Sequence, residues 1–209
     1  MTARVLIAAA LGASAAELER LSHAFARFAP MELALSESVD PSVLVGILNG
    51  YFERMARAIT THQGHISTLI GDGILALFGA LEANPWQTDD AVRAALAMRE
   101  ELAAYNLDLE AAGLPKLRLG IGLHRGTGIA GLVGSPELMQ FTVVGTVVNV
   151  ATRVQALTRE HDVDMLITPS VQRALDPRFA LHPLPPRELK GIAEPVATFA
   201  VLEQSASLD

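Results

Sequence analysis

His65-Ile66-Ser67-Thr68-Leu69-Ile70, then Gly71-Asp72-Gly73, then Ile74-Leu75-Ala76-Leu77-Phe78 is the stretch from which the fold can be read. Two short apolar runs around an Asp-Gly pair signal a β-hairpin, because glycine reaches the backbone angles that a tight turn between twisted strands demands. Just before it, Leu44, Ile47, Leu48, Tyr51, Phe52, Met55 and Ile59 recur at intervals of three and four. That period predicts an amphipathic helix from Ser38-Val39-Asp40-Pro41 to about His62, stopped by Gly64. After the hairpin come a loop over 82–88 and a helix over 89–112 with Val92, Ala95, Leu96, Leu102 and Tyr105 inward. Strands follow at Leu117–His124 and Ile129–Val133, and Gly145 introduces a helix reaching Glu160. Asp164–Thr168 is a strand, 169–175 a short helix, and Phe179–Leu184 and Val196–Leu202 the final strands. Upstream, 15–36 is expected to be helical. Residues 4–11 read as a buried strand, the alternative being a weak signal peptide behind the single Arg4. Helices and hairpins alternate, which predicts an α+β domain with helices packed on a mostly antiparallel sheet.

Composition narrows the function. The chain has 209 residues, half of them apolar, with a net charge of −7 and no cysteine. That length suits one domain with extra segments. The acidic balance argues against nucleic acid, whose binders show a basic face. No apolar run reaches the ~20 residues of a membrane span, so no membrane contact is expected of this segment. Without cysteine there is no disulfide framework, thiolate metal site or cysteine nucleophile, and a cytoplasmic setting is expected.

Three groups of residues are able to carry chemistry. Asp72 is expected to project from the hairpin tip, where a carboxylate suits a hard cation and the amides around Gly71 and Gly73 suit a phosphate. Thr146, Asn149 and Arg153 share a polar stripe on the 145–160 helix, away from Val147, Val150, Ala151, Val154 and Leu157; an amide beside a guanidinium suits a sugar and a phosphate charge. Lys190, before Gly191, is able to reach a polyphosphate as a point charge. Taken singly, each has a plainer reading: a common turn, a solvated helix face, an exposed lysine. Two patterns carry nothing. Gly126-Thr127-Gly128-Ile129-Ala130-Gly131 matches a dinucleotide fingerprint but opens no helix, and His62-x-x-His65 straddles a helix end. His124 is read as a satisfied strand-end residue.

Together these stretches resemble the class III nucleotide cyclase catalytic domain. The matching runs are Leu35-Ser36-Glu37-Ser38-Val39-Asp40-Pro41 into Leu48-Asn49-Gly50-Tyr51-Phe52; Leu69 to Gly79 through Gly71-Asp72-Gly73; Gly120-Ile121-Gly122-Leu123-His124; Gly131-Leu132-Val133-Gly134-Ser135; Phe141-Thr142-Val143-Val144-Gly145 through Asn149 to Arg153; and Leu189-Lys190-Gly191 with Glu194-Pro195-Val196. The resemblance implies a ferredoxin-like α/β sandwich acting as a head-to-tail dimer with active sites at its interface. It implies conversion of a nucleoside triphosphate, ATP ahead of GTP, to a 3′,5′-cyclic nucleotide and pyrophosphate, with Mg2+ or Mn2+ held by two Asp. On this resemblance Asp72 matches the second metal ligand, Asn149 and Arg153 the ribose and transition-state pair, Thr146 the base-reading position and Lys190 the phosphate-side lysine. The partner is a second copy, or an intact cyclase domain in a heterodimer.

The departures are also on the sequence. The family's first strand, which carries the other metal Asp, should immediately precede Leu35, and the residues there do not match it. Either 4–11 is that strand, with Ala9 at the Asp position and a helical insertion after it, or 16–34 are a helical linker and the strand is missing. The first alternative completes the sheet. Thr68 stands where the base-reading Lys is expected, four residues before Asp72. The expected organisation is therefore an N-terminal strand plus insertion or linker over 1–34, the catalytic domain over 35–204 and a tail over 205–209, with impaired activity or a purely regulatory role.

Overall fold

The computed structural model describes residues 2–11, 21–25, 40–80, 84–135, 137–188, 192 and 194–204, the first two segments by their backbone alone. Strands β1 (Thr2–Leu11) and β2 (Leu21–Phe25) are followed by α1 (Pro41–Thr61), the hairpin β3 (Gly64–Ile70) and β4 (Gly73–Phe78), and α2 (Gln87–Ala111). Then come β5 (Arg118–Ser135), β6 (Leu138–Val144), α3 (Thr146–Glu160), β7 (Met165–Ile167), α4 (Pro169–Gln172), β8 (Phe179–Arg187) and β9 (Val196–Gln204). One sheet runs β3-β4-β1-β2-β5-β7-β9-β8, with β6 paired to β5. β1 is parallel to β4 and β5, and β5 to β7; the remaining pairings are antiparallel.

The expected hairpin and helices form because their local chemistry agrees with the packing. Asp40 caps α1 by accepting the Ser42 N–H at 2.8 Å, and Pro41 sits at the first helical position, where a missing N–H costs nothing. Tyr51, Met55 and Ile59 are fully buried along the inner stripe, under Ile74, Leu77 and Phe78 of β4. The helix stop differs from expectation. The left-handed residue is Gln63, at φ 61°, while Gly64 already belongs to β3. Gly64 is required by space: a Cβ there would stand 2.6 Å from both Ile59 and the Phe78 ring.

Three sequence expectations are corrected. Leu117–His124 and Ile129–Val133 are one strand, because Gly126-Thr127-Gly128 stays extended, and its hairpin partner is β6, which the sequence pattern did not show. His124 is accordingly inside a strand, not at its end. Residues 21–25 are strand rather than helix, since their backbone groups find partners on β1, β4 and β5, and ladder bonds override local preference. The rest of 15–36 lies outside the described residues.

Residues 4–11 are a strand as expected, but Ala9 does not occupy the place of a metal carboxylate. β1 is parallel to β4, in a register that sets Val5 beside Ile74 and Ala9 beside Phe78. Ala9 is thus at the far end of β4 from Asp72, about 20 Å away at strand rise. Groups that share bridged metal ions must be close neighbours. Besides its hairpin partner β3, the strand antiparallel to β4 is β2, which pairs Ala24 with Phe78 and Phe25 with Leu77 and so heads toward the Asp72 end.

Candidate functional site

The β3–β4 turn presents its carboxylate inward. Ile70 pairs with Gly73, leaving Gly71 and Asp72 as the two loop residues. Gly71 has φ 64° and Asp72 does not have positive φ, the signature of a type II′ turn. Asp72 is only 8% exposed, so it does not project from the tip as its position suggested. Its charge acts on the phenol of Tyr51, whose pKa is pushed well up by burial first and by the Asp72 carboxylate second.

Thr146, Asn149 and Arg153 lie on α3, away from the buried face formed by Val147, Ala151, Val154 and Leu157. Thr146 and Asn149 are exposed and Arg153 half-buried. Six arginines of the described residues are matched: Arg54 to Asp108, Arg57 to Glu101, Arg93 to Asp90, Arg99 to Asp164, Arg118 to Asp162 and Arg178 to Asp176. No carboxylate among the described residues pairs with Arg153. One turn of helix separates it from Asn149, so the two side chains leave one face of α3 with their Cβ atoms about 6 Å apart. Lys190 lies outside the described residues.

Close approach to the sheet fixes α3. Gly145, its N-cap, has φ 156° and ψ 168°, a region essentially restricted to glycine. A Cβ on Gly122 would stand 2.4 Å from the Gln155 nitrogen, so the helix backbone rests directly on β5. His124 lies on the same face of β5. Its Nδ1 is 3.0 Å from Thr168 Oγ1 and 3.4 Å from Ser170 Oγ, as expected of a satisfied residue. Burial pushes its pKa down to about 4.

That shift has a stability consequence. The folded pKa lies below the unfolded value near 6.5, so the unfolded chain takes up the proton first and stability falls as pH drops from about 6.5 to about 4. The expected loss from this group at pH 4.5 is about 2 to 3 kcal/mol. Urea unfolding at pH 7 and 4.5 measures it, and His124→Asn, which does not titrate, should lose correspondingly less.

Sequence reasoning missed Thr142 and Ser67. Residue Ser67 sits at an irregularity in the β3–β4 register, between the pairs Ile66–Ala76 and Thr68–Leu75. Its hydroxyl donates to the Phe141 carbonyl at 3.1 Å and lies 3.4 Å from Thr142 Oγ1. Thr142 of β6 therefore meets the strand that carries half-buried Thr68, whereas Thr146 begins the next helix. Thr142 lay within the family-like run, but without β6 its neighbours were not legible.

The donors among the described residues do not fit a two-ion centre. Among the described residues no three His, Asp or Glu side chains cluster as ligands, and no aspartate precedes Asp40 in the sequence. Asp72 is the one matched carboxylate. A cavity of about 940 Å3 lies elsewhere, toward the other end of α3; Arg99 and Arg118 line it already paired with Asp164 and Asp162.

Comparison with known proteins agrees with this architecture. The adenylate and guanylate cyclase catalytic domain model matches residues 19–203, a span that includes β2 and excludes β1. An adenylate cyclase of Anabaena cylindrica is 38% identical over 146 residues, covering 68% of this chain and 28% of its own length. Adenylate cyclase 1 of Rhizobium meliloti is 32% identical over 157 residues, covering 75% of this chain and 24% of its own. A guanylyl cyclase crystal structure superposes with a TM-score of 0.81 at 28% identity, covering 91% of this chain and 95% of that one. The chain belongs to the class III adenylate and guanylate cyclase catalytic domain family, and it spans about a quarter of the length of these curated relatives. No helix among the described residues is long and apolar enough to cross a membrane.

Proposed function

We propose that the chain is an adenylate cyclase domain of low intrinsic activity, with Asn149 and Arg153 as its catalytic pair. The exposed Asn149 amide and the Arg153 guanidinium, unpaired with any carboxylate among the described residues and on one face of α3, carry this reading. In the reaction the ribose 3′-oxygen bonds to the α-phosphorus while the bond from that phosphorus to the α–β bridging oxygen breaks. Pyrophosphate leaves and the 3′-hydroxyl proton passes to solvent. Asn149 holds the ribose. Arg153 meets charge that grows on the phosphoryl oxygens, which is where a positioned donor lowers the barrier. Thr68 and Thr142, with Thr146 at the helix start, bound the base, and the turn amides at Gly71 and Gly73 with Lys190 serve the phosphates. Asp72 is a single hard-cation ligand, and no step is routed through a metal pair.

The β5–β6 ribbon supports assembly with a second copy. Ile129 and Val144 face each other across the ladder, and both are more than half exposed, as is Leu132 on the opposite side. An apolar ribbon of this kind is a dimerisation surface. A regulatory module that binds nucleotide without turnover is the second reading, favoured by the missing first aspartate and by Thr68. Product analysis with ATP, then GTP, in manganese separates the two. Cyclic AMP that scales with enzyme concentration supports the first; analogue binding in calorimetry without product supports the second; neither binding nor product overturns both.

A further inference from the structure

His124 belongs to a small polar cluster that joins three elements. Thr168, the residue before α4, donates its N–H to the Leu123 carbonyl at 3.1 Å, and Ser170 accepts the Arg125 N–H at 3.3 Å. The Thr168 and Ser170 hydroxyls are 3.0 Å apart, and both approach Nδ1 of His124. His124 stands on β5 between Gly122, where a Cβ would meet Gln155, and Gly126, so its side chain lies on the face of the strand that α3 covers. A Cβ built on Gly126 would stand 3.1 Å from both His124 Nε2 and a Val147 methyl, so the imidazole and the first turn of α3 border the same gap over Gly126. Gly145 gives α3 no side-chain cap, so its first turn depends on what lies beneath it.

We infer that His124 is a positioning residue: held through Nδ1 by Thr168 and Ser170, its ring supports the first turn of α3 and so sets where Asn149 and Arg153 point. The structural part stands on the contacts above, and the effect on ligand rests on the proposed nucleotide site. A charged imidazole there would oppose the positive end of the helix dipole, and burial keeps the ring neutral near pH 7.

The test compares three variants of the full chain. In hydrogen exchange the reporting amides are those of Val150, Ala151 and Thr152, which bond back to the first-turn carbonyls. His124→Ala is expected to speed their exchange about tenfold, the scale of one lost buried hydrogen bond. It should weaken binding of a non-hydrolysable ATP analogue by a similar factor, with exchange in α1 unchanged. An asparagine amide reaches the Nδ1 position and a glutamine amide the Nε2 position. His124→Asn keeps the bonds to Thr168 and Ser170 but not the bulk of the ring under α3, so it should restore both readouts in part, and His124→Gln neither. Unchanged α3 exchange in His124→Ala, or equal rescue by glutamine, overturns the inference. If the alanine variant fails to fold, the asparagine and glutamine pair decides alone. If the parent chain binds no analogue, the nucleotide reading falls while the exchange comparison still decides the role of His124.

Discussion

Arg153→Ala is expected to reduce cyclic nucleotide formation by about 10²- to 10³-fold, the usual effect of removing one donor aimed at transition-state charge. The prediction follows from what Arg153 lacks. Its guanidinium has no carboxylate partner among the described residues, so no ion pair described above is broken. It is half-buried on the solvent side of α3, while the helix is held by Val147, Ala151, Val154 and Leu157 on the opposite face. The unfolding midpoint should therefore stay close to that of the parent chain. Ground-state binding of an ATP analogue should weaken far less than turnover, because the charge that Arg153 meets develops in the transition state. Initial rates with manganese and ATP, set against calorimetric affinity, separate the two effects. Turnover that survives the substitution places the chemistry elsewhere. Arg153→Lys restores the charge but not the planar fork, so it should recover only part of the rate.

Much of this arrangement was legible in the sequence, for identifiable reasons. The 44–59 stripe, the Asp40–Pro41 start and the hairpin around Gly71-Asp72 are local signals, and packing agrees with each. The α3 polar stripe was legible because its apolar face is regular enough to leave the polar one defined. What failed was non-local. The continuity of β5 through Gly126-Thr127-Gly128 depends on β6, and β6 was invisible while its partner was read as two strands. Leu21–Phe25 carries no clear period and becomes a strand because its backbone finds ladder partners on β1, β4 and β5. The direction of β1 has no sequence signature at all: Val5 to Leu11 pairs equally well either way round. Only the register reveals that Ala9 sits beside Phe78 rather than beside Asp72. That no aspartate precedes Asp40 was visible in composition, since the first 39 residues contain none. Which strand pairs antiparallel to β4 on its other side was not.

Gly122→Ala is the stability prediction with the largest expected effect. An added Cβ would meet the Gln155 nitrogen at 2.4 Å, its Cβ at 2.6 Å and its Cα at 2.7 Å. Two of these are helix backbone atoms, which cannot rotate aside as a side chain end would. Either α3 lifts from β5 or the strand bows away from Leu166 and β7. Overpacking of this kind typically costs about 1 to 3 kcal/mol, and here the upper end is expected because both contacting elements are regular. Lifting α3 also carries Asn149 and Arg153 with it, and a misplacement of about 1 Å in a catalytic group costs about 10²-fold in rate. Urea unfolding and turnover should thus fall together, unlike Arg153→Ala, where turnover falls alone. Gly46→Ala supplies the control: it is exposed in α1 with nothing within 4 Å of the new Cβ, and should stabilise by about 0.5 to 1 kcal/mol through helix preference. If Gly122→Ala unfolds at the parent midpoint while Gly46→Ala rises, then α3 does not rest on β5 as closely as the geometry requires. The orientation of the Asn149–Arg153 face would then need another support.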